Sequence, residues 1–436
     1  MVITERALLL MFLAGVAMLC VSHKIDPLTA LLVLDGLILT AVYIDYLMTP
    51  HPPEIIIRRI VPTFFQCGAE NTVMIEAENR SMRKVRITIR DDPPLPFNAS
   101  DAPLLMVISP GGKAECTYPA VPVKRGTFHF GPLRIRIDGI MGLVIRQFSR
   151  GEKEEIKVVP AIAGVMRFQS PASRRSIREA GNRRSLFSGV GTEFESLREY
   201  HRDDEYRNIN WKASARRAKL IVESFEEDRT ESVLLAIDTG RLMRAEVAGL
   251  ERMEYAVVAS LLLSHVALER DDRVGMLLFS HKVSRFLPPD RGKKQFQRLF
   301  SLCQDVEASG TETDYFSLLE YMEGRHRKRS LVVIFTDFAE EGAAASLLQC
   351  IPGMYPRHLP LVVMVRDPAL SAAADAYPHD SSTLFRKAVA VNLLSERRKT
   401  ETALKKRGVP VLDCRPQSLS YSLMRLYVEI KRKGLL

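Results

Sequence analysis

Ser232-Val233-Leu234-Leu235-Ala236-Ile237-Asp238 is the stretch that decides the fold. Five consecutive apolar residues closing on a carboxylate read as a buried strand, since a strand with one wet face alternates polar and apolar residues. Working outward, Leu331–Phe335 repeats the pattern and is followed by Asp337, and Leu361–Val365 is a third apolar run. Arg273–Ser280 and Val409–Leu412 read as further strands. Between them the apolar period changes to that of helices. Glu251–Glu269 sets Tyr255, Val258, Leu262, His265 and Val266 on related faces. Lys293–Cys303, Tyr315–Glu323, Ala343–Cys350, a long basic run Leu384–Lys406 and Ser418–Lys433 also read as helical. Strands alternating with helices predict a doubly wound α/β sheet over 230–436. Such sheets take ligands at the carboxyl ends of their strands.

Two aspartates lie at those ends, Asp238 and Asp337, and a polar loop Ser309-Gly310-Thr311-Glu312-Thr313-Asp314 opens a helix between them in sequence. Two carboxylates and a threonine on one rim suit a hard divalent cation. The set resembles the von Willebrand factor A domain, whose metal site uses D-x-S-x-S after the first strand, a later threonine and an aspartate after the fourth strand. The matching residues are Asp238, Thr311 and Asp337, which the resemblance implies as metal ligands for Mg²⁺ or another divalent cation. Gly240 and Leu242 stand where the motif has its serines, which removes two oxygen ligands. With that loss no cofactor is expected. Arg241 is then a candidate to place a cation where the family holds a metal.

Upstream, residues 188–229 carry Gly191-Thr192-Glu193-Phe194, Leu197-Arg198-Glu199-Tyr200, Asp203-Asp204 and Arg207-Asn208-Ile209-Asn210-Trp211-Lys212-Ala213-Ser214-Ala215-Arg216. Charges of both signs interleave with Phe194, Leu197, Tyr200, Ile209 and the single tryptophan. That pattern suits an ordered ion-pair network packed against a domain. The string resembles the signature of the domain of unknown function 58 family, with Asp203 in place of a usual glycine and Asn210 in place of an aspartate. The resemblance implies a membrane-anchored protein whose cytoplasmic A-like domain serves a MoxR-type AAA+ ATPase as adaptor. It also marks Glu193, Phe194, Arg198, Glu199, Tyr200, Asp204, Arg207, Trp211, Lys212, Ser214 and Arg216 as signature or partner-binding positions.

The remainder of the chain is spacer and anchor. Over 54–160, Thr72–Ala77, Val85–Arg90, Thr127–Phe130 and Leu133–Ile137 alternate with a period of two between Pro/Gly turns, which predicts a small β-sandwich-like domain. His129 stands alone on one of these strands and reads as structural. Residues 1–50 read as a transmembrane helical hairpin with helices at about 3–21 and 27–48, the second long enough for a hydrocarbon core of ~30 Å. Arg6 and Arg58/Arg59 outside the hairpin, against Lys24 in its turn, place both ends in the cytoplasm and the anchor in the inner membrane. Asp35 is a mid-span carboxylate, read either as a helix-pairing group or as bonded locally near Thr40. The six cysteines are scattered without a CxxC and read as free thiols.

The net charge of +10 invites an anionic partner until it is located. Within 167–184 there are six arginines against the single acid Glu179, which leaves a basic linker at 161–187. Arg174, Arg175, Arg178, Arg183 and Arg184 are its candidate contacts to anionic lipid. Aromatic residues do not interleave with the basic clusters as a nucleic-acid stacking platform requires. The chain has no G-x-x-x-x-G-K-[ST], G-x-S-x-G or H-E-x-x-H. The expectation is a membrane-anchored, non-enzymatic adaptor or scaffold for a MoxR-type ATPase. The alternatives are a metal-dependent hydrolase at Asp238/Asp337 with His201 or His265 as base, and an anionic-lipid-binding surface protein.

Overall fold

Strict alternation of inward and outward residues builds the first of two units, Met1–Ala161, which the chain forms separately from Ile162–Leu436. The structure is a computed structural model. It describes residues 2–21, 27–161 (except 101 and 152), 193–200, 206, 209–226 (except 218), 231–338 and 341–435 (except 356).

In the first unit, β1 (Val2–Ile3) precedes helices α1 (Glu5–Val21) and α2 (Pro27–Met48). Eleven strands follow: β2 (Ile55–Ile60), β3 (Phe65–Gln66), β4 (Asn71–Asn79), β5 (Val85–Arg90), β6 (Phe97–Ala99), β7 (Leu104–Ile108), β8 (Lys113–Pro122), β9 (Gly126–Phe130), β10 (Leu133–Asp138), β11 (Val144–Arg150) and β12 (Glu154–Val159). They form sheets ordered β1-β11-β10-β5-β7, β2-β4-β8-β6 and β3-β12-β9. Inward Val73, Ile75 and Ala77 of β4 are fully buried, as are Ile87, Ile89, Ile135 and Ile137 of β5 and β10. Burial of one such side chain contributes roughly 1.5–3 kcal/mol, and the alternation delivers every second residue to the core.

The stretch Leu32–Glu54 is long and apolar enough to cross a membrane, and its exposed face carries Leu32, Val33, Leu37, Leu39, Tyr43 and Leu47. The Thr40 hydroxyl donates to the Gly36 carbonyl at 2.7 Å, so it does not serve Asp35. Both helices are tied to the same end of the β5–β10–β11 sheet. Val2 and Ile3 pair with Ile145 and Val144. From α2, the buried Asp45 carboxylate accepts backbone N–H groups of Met141 (2.8 Å), Leu143 (2.9 Å) and Val144 (3.1 Å). Gly139 must be glycine, since a Cβ there would collide with that carboxylate. Arg146 donates to the Tyr46 carbonyl at 2.9 Å and lies 4.4 Å from the Tyr46 ring centroid.

The second unit opens with a hairpin of β13 (Glu193–Glu199) and β14 (Ile221–Glu226), which encloses α3 (Trp211–Arg217) in sequence. Then come β15 (Ser232–Asp238), β16 (Glu246–Val247), β17 (Leu250–Glu251), α4 (Arg252–Glu269), β18 (Arg273–Phe279), β19 (Val283–Asp290), α5 (Gly292–Gln304) and α6 (Tyr315–Arg325). β20 (Leu331–Phe335), α7 (Glu341–Met354), β21 (Leu359–Val365), α8 (Pro368–Asp375), α9 (Ser381–Lys406), β22 (Val411–Cys414) and α10 (Pro416–Arg432) complete it. The main sheet is mixed, ordered β19-β18-β15-β20-β21-β22, with β19 the antiparallel member. β15 sends Val233, Leu235 and Ile237 to a core shared with α4, α5 and α10, and Leu234 and Ala236 to one shared with α6, α7 and α9. That two-sided burial is why its sequence is continuously apolar.

The sequence reading expected neither β19 nor α8. β19 is an edge strand containing Pro288 and Pro289, where the missing N–H is harmless. It closes on β18 only because Gly275 has no side chain, since a Cβ there would come 2.7 Å from Pro289 N. α9 starts three residues earlier than expected, at Ser381, because Asp380 and Thr383 form a capping box.

Candidate functional site

The chain leaves β15 for β18 on one side and later returns to β20 on the other, so strand order reverses at the carboxyl ends of β15 and β20. Asp238 and Asp337 stand there, beside paired Ile237 and Phe335. A ligand crevice is expected at this place in an open α/β sheet.

Each carboxylate is already engaged. Asp238 Oδ1 accepts from Gly240 N and Thr313 Oγ1, both at 2.7 Å, and Oδ2 accepts from Thr336 Oγ1 at 2.6 Å. The Tyr315 hydroxyl lies 2.7 Å from Thr336 Oγ1, which extends the chain into the core. Burial raises the Asp238 carboxyl above its ordinary value of 3.8, opposed by the bonds from Thr336, Thr313 and Gly240, while the Asp337 charge adds to the rise. Burial likewise pushes the Tyr315 phenol well above its usual range.

Asp337 is held by guanidinium groups. Arg397 donates to Oδ1 at 2.7 Å, and Phe338 N donates to the same oxygen at 2.7 Å. Arg252 Nε lies 3.0 Å from Oδ2, an ion pair whose angle does not make a hydrogen bond. Arg397 also reaches Asp413 Oδ1 at 3.0 Å and the Val365 carbonyl at 3.1 Å, and Arg366 holds Asp413 Oδ2 at 3.0 Å. The side chains of Asp337, Asp413 and Arg397 are 2%, 5% and 7% exposed, so the network is desolvated. Planar guanidinium forks suit buried carboxylates better than ammonium groups do.

This donor set does not fit a divalent cation. A cation here would have to displace Arg397 and Arg252 from Asp337 and break the hydroxyl and amide bonds on Asp238, while Mg²⁺ demands near-ideal oxygen coordination. Thr311 is exposed, its hydroxyl 2.7 Å from Ser309 Oγ, and it does not bond to Asp238. Thr313 does. A Cβ at Gly240 would collide with the Thr313 hydroxyl, so that hydroxyl fills the space of a side chain at 240. The cation at the rim is supplied by Arg397 and Arg252; Arg241 points instead toward Glu312 at 3.8 Å. His265 pairs with Glu269 and packs edge-on against Phe296, and His201 lies outside the described residues.

Sequence reasoning missed Thr313, Thr336, Arg252, Arg366, Arg397 and Asp413. One signal was available. Ala390, Arg397 and Leu404 are buried at seven-residue spacing on α9, a stripe that marks an inward face.

Among the signature positions, Asp204 and Arg207 lie outside the described residues, as do the lipid-contact candidates Arg174, Arg175, Arg178, Arg183 and Arg184. Glu193, Phe194 and Arg198 are placed only by register, opposite Glu226, Phe225 and Val222. Asn210 Oδ1 accepts Ala213 N at 2.8 Å and so caps α3, a task asparagine and aspartate perform alike. Ser214 Oγ accepts Ile221 N at 2.8 Å and donates to Asn210 O at 2.8 Å. Glu199 pairs with Lys219 at 2.8 Å on the surface, and Tyr200 packs against Tyr206 with ring centroids 5.8 Å apart. Lys212 and Arg216 are exposed. The packed-network reading is corrected at Trp211, which is 67% exposed at the start of α3 while Ile209 and Ser214 turn inward.

Residues 196–376 match the family described as "Protein of unknown function DUF58". The chain is 26% identical over 145 residues to "Uncharacterized protein YeaD" of Bacillus subtilis (strain 168), covering 33% of this chain and 36% of that protein. It is 23% identical over 190 residues to "Uncharacterized protein Mb1516" of Mycobacterium bovis (strain ATCC BAA-935 / AF2122/97), covering 43% and 59%. The chain therefore spans less than two thirds of the length of these curated relatives. Among solved structures it is similar to the conserved hypothetical protein BatB from Bacteroides thetaiotaomicron, with a TM-score of 0.31 and 15% identity over 47% of this chain and 98% of that one.

Proposed function

We propose that this chain is a membrane-anchored, non-enzymatic adaptor whose von Willebrand factor A-like unit binds a protein partner, a MoxR-type AAA+ ATPase, on the cytoplasmic side of the inner membrane. α1 and α2 form a transmembrane hairpin in this reading. The pairing of Val2–Ile3 with β11 and the bonds from Asp45 to the same strand's approach support it, because both helices then start and end at one end of one sheet. The β1 pairing also weighs against a cleaved signal at residues 1–21, whose removal would take away an edge strand of this sheet and leave the Leu143 carbonyl without the Thr4 N–H it accepts at 3.0 Å.

The observation that carries the adaptor reading is the construction of the rim and the helix above it. Of the rim carboxylates, Asp238 is taken up by amide and hydroxyl donors and Asp337 by a buried ion-pair network, and Arg397 of that network pins α9 to the sheet edge. Ser381 stands sixteen residues before Arg397 (397 − 381), about 24 Å along the helix at 1.5 Å per residue. That part, along which α8 packs, carries Leu384, Phe385 and Val389 at 57%, 70% and 41% exposure. An exposed apolar cluster on a helix face is the kind of surface that docks a partner protein.

The test is binding of the purified ATPase to the full chain in nanodiscs. Wild type should bind, and the pair Leu384→Asp and Phe385→Asp should weaken binding at least tenfold with the thermal midpoint unchanged. Wild type that fails to bind the ATPase would sink the reading.

A further inference from the structure

Two loops close the end of the β5–β10–β11 sheet that meets the helices, and both carry exposed apolar tips. Gly139 to Gly142 is a tight turn, with Gly142 N donating to Gly139 O at 3.0 Å. Its two central residues are Ile140 and Met141, 50% and 53% exposed. Such positions ordinarily hold Gly, Asn, Asp or Ser, whose side chains favour the turn and water. The second loop, before β5, presents Met82 at 92% exposure beside Arg83.

The height of both loops along α2 is fixed by bonds. Met141 N donates to Asp45 Oδ1 at 2.8 Å, and Arg83 donates to the Met48 carbonyl at 2.5 Å. The exposed apolar face of α2 continues through Tyr43 to Leu47, beyond Asp45. Ile140 and Met141 are therefore level with the last turn of the apolar stretch, and Met82 stands next to its end. Arg6 lies close by, 3.3 Å from where a Cβ on Gly142 would be. Apolar tips flanked by arginine at the end of a spanning helix match the headgroup–acyl boundary, where apolar groups enter the tails and cations meet lipid phosphates.

We infer that the turn bearing Ile140 and Met141, with Met82 beside it, inserts into the headgroup–acyl boundary of the bilayer that holds α2. This rests on the membrane-anchored reading above. The two loops then act as a collar: they fix the sheet end against the lipid surface, while the Asp45 bonds join collar to helix.

Tryptophan quenching by brominated lipids tests it, since the chain has a single native tryptophan. In a Trp211→Phe background, the full chain carrying Met141→Trp, Met82→Trp, Leu37→Trp or Leu95→Trp is reconstituted into vesicles of phosphatidylcholine and phosphatidylglycerol. Leu37 lies within α2, and Leu95 is fully exposed after β5, at the far end of that strand. Met141→Trp is expected to be quenched most by bromine near the headgroup, Leu37→Trp by bromine deep in the chain, and Leu95→Trp only by aqueous iodide. Met82→Trp should resemble Met141→Trp. If Met141→Trp instead matches Leu95→Trp while Leu37→Trp is lipid-quenched, the collar is overturned and the anchor stands. If Leu37→Trp is also quenched only from water, the anchored reading falls and takes the collar with it.

Discussion

Asp45 at the foot of α2 and Asp337 at the rim of the second sheet are both buried carboxylates, and the chain satisfies them in different ways. Asp45 receives three backbone N–H groups from one loop. Asp337 receives one N–H and two guanidinium groups drawn from α4 and α9. The first arrangement fixes a local backbone shape. The second joins distant elements through paired charges, and so costs more to break than to replace, because removing one partner strands the other in a desolvated place.

The largest effect should come from breaking the second arrangement. Arg397→Met removes the one side chain among the described residues that contacts both Asp337 and Asp413. Loss of about 3–5 kcal/mol is expected from denaturant unfolding, in the range for an uncompensated buried charge. Arg397→Met combined with Asp337→Leu should recover part of that loss. A loss under about 1 kcal/mol for the single variant would mean that Arg252 and Arg366 suffice, and that the rim is a looser pairing than its burial suggests.

Asp45→Ala tests the other side of the comparison and should cost less, roughly 2–4 kcal/mol for backbone donors left without an acceptor. The sharper signature is amide hydrogen exchange. Exchange at Met141, Leu143 and Val144 should accelerate together, whereas Arg397→Met should leave those three amides unchanged. Asp45→Asn keeps one acceptor oxygen and should fall between.

A third way of burying an ionisable group occurs at the amino ends of β20 and β21, the end of the second sheet opposite the rim. His358 is stacked on His326 with ring centroids 5.7 Å apart. Burial first, then the charges of His326 and Arg357, lowers its pKa from 6.5 to about 4. Because the folded value lies below the unfolded one, its contribution to stability is whole above pH 6.5 and is lost as pH falls through about 4. Asp238 has the reverse sign: its folded value is raised, so its contribution is whole below 3.8 and is lost as pH rises through the folded value. Acid unfolding of the wild type should therefore steepen between pH 6.5 and 4, and His358→Gln should flatten that limb. An imidazole NMR titration of His358 centred near 6.5 would refute this account.

What the sequence disclosed follows the same division. β15, β20 and β21 were legible because burial on two faces writes itself as an unbroken apolar run. Asp238 and Asp337 were legible as carboxylates at strand ends. Arg397 was not, because its partner is 60 residues away and a basic helix reads as solvated surface until its tertiary neighbour is known. Gly240 looked like a lost ligand, and only the position of the Thr313 hydroxyl shows it as the residue that makes room. Asp45 was invisible for a related reason: its acceptor role is set by a turn some 96–99 residues downstream, which no local pattern encodes.

Trp211→Ala should have the smallest effect, and it separates a structural signature from a recognition surface. A buried tryptophan lost to alanine costs about 3–5 kcal/mol. This ring is 67% exposed, and the local packing belongs to Ile209, at 6% exposure, and to Ser214 with its bonds to Asn210 and Ile221. The expected shift is therefore within about 0.5 kcal/mol, as for surface positions away from caps and networks. Ser214→Ala makes the internal control, since it leaves the buried Ile221 N–H without its acceptor and should cost about 1–3 kcal/mol. If Trp211→Ala proves as damaging as Ser214→Ala in denaturant melts, the ring is covered in solution and the signature is a strap. If it is silent while binding of the ATPase falls, the exposed ring is part of a docking surface, and the segment that looked most like a packed network is the one that faces outward.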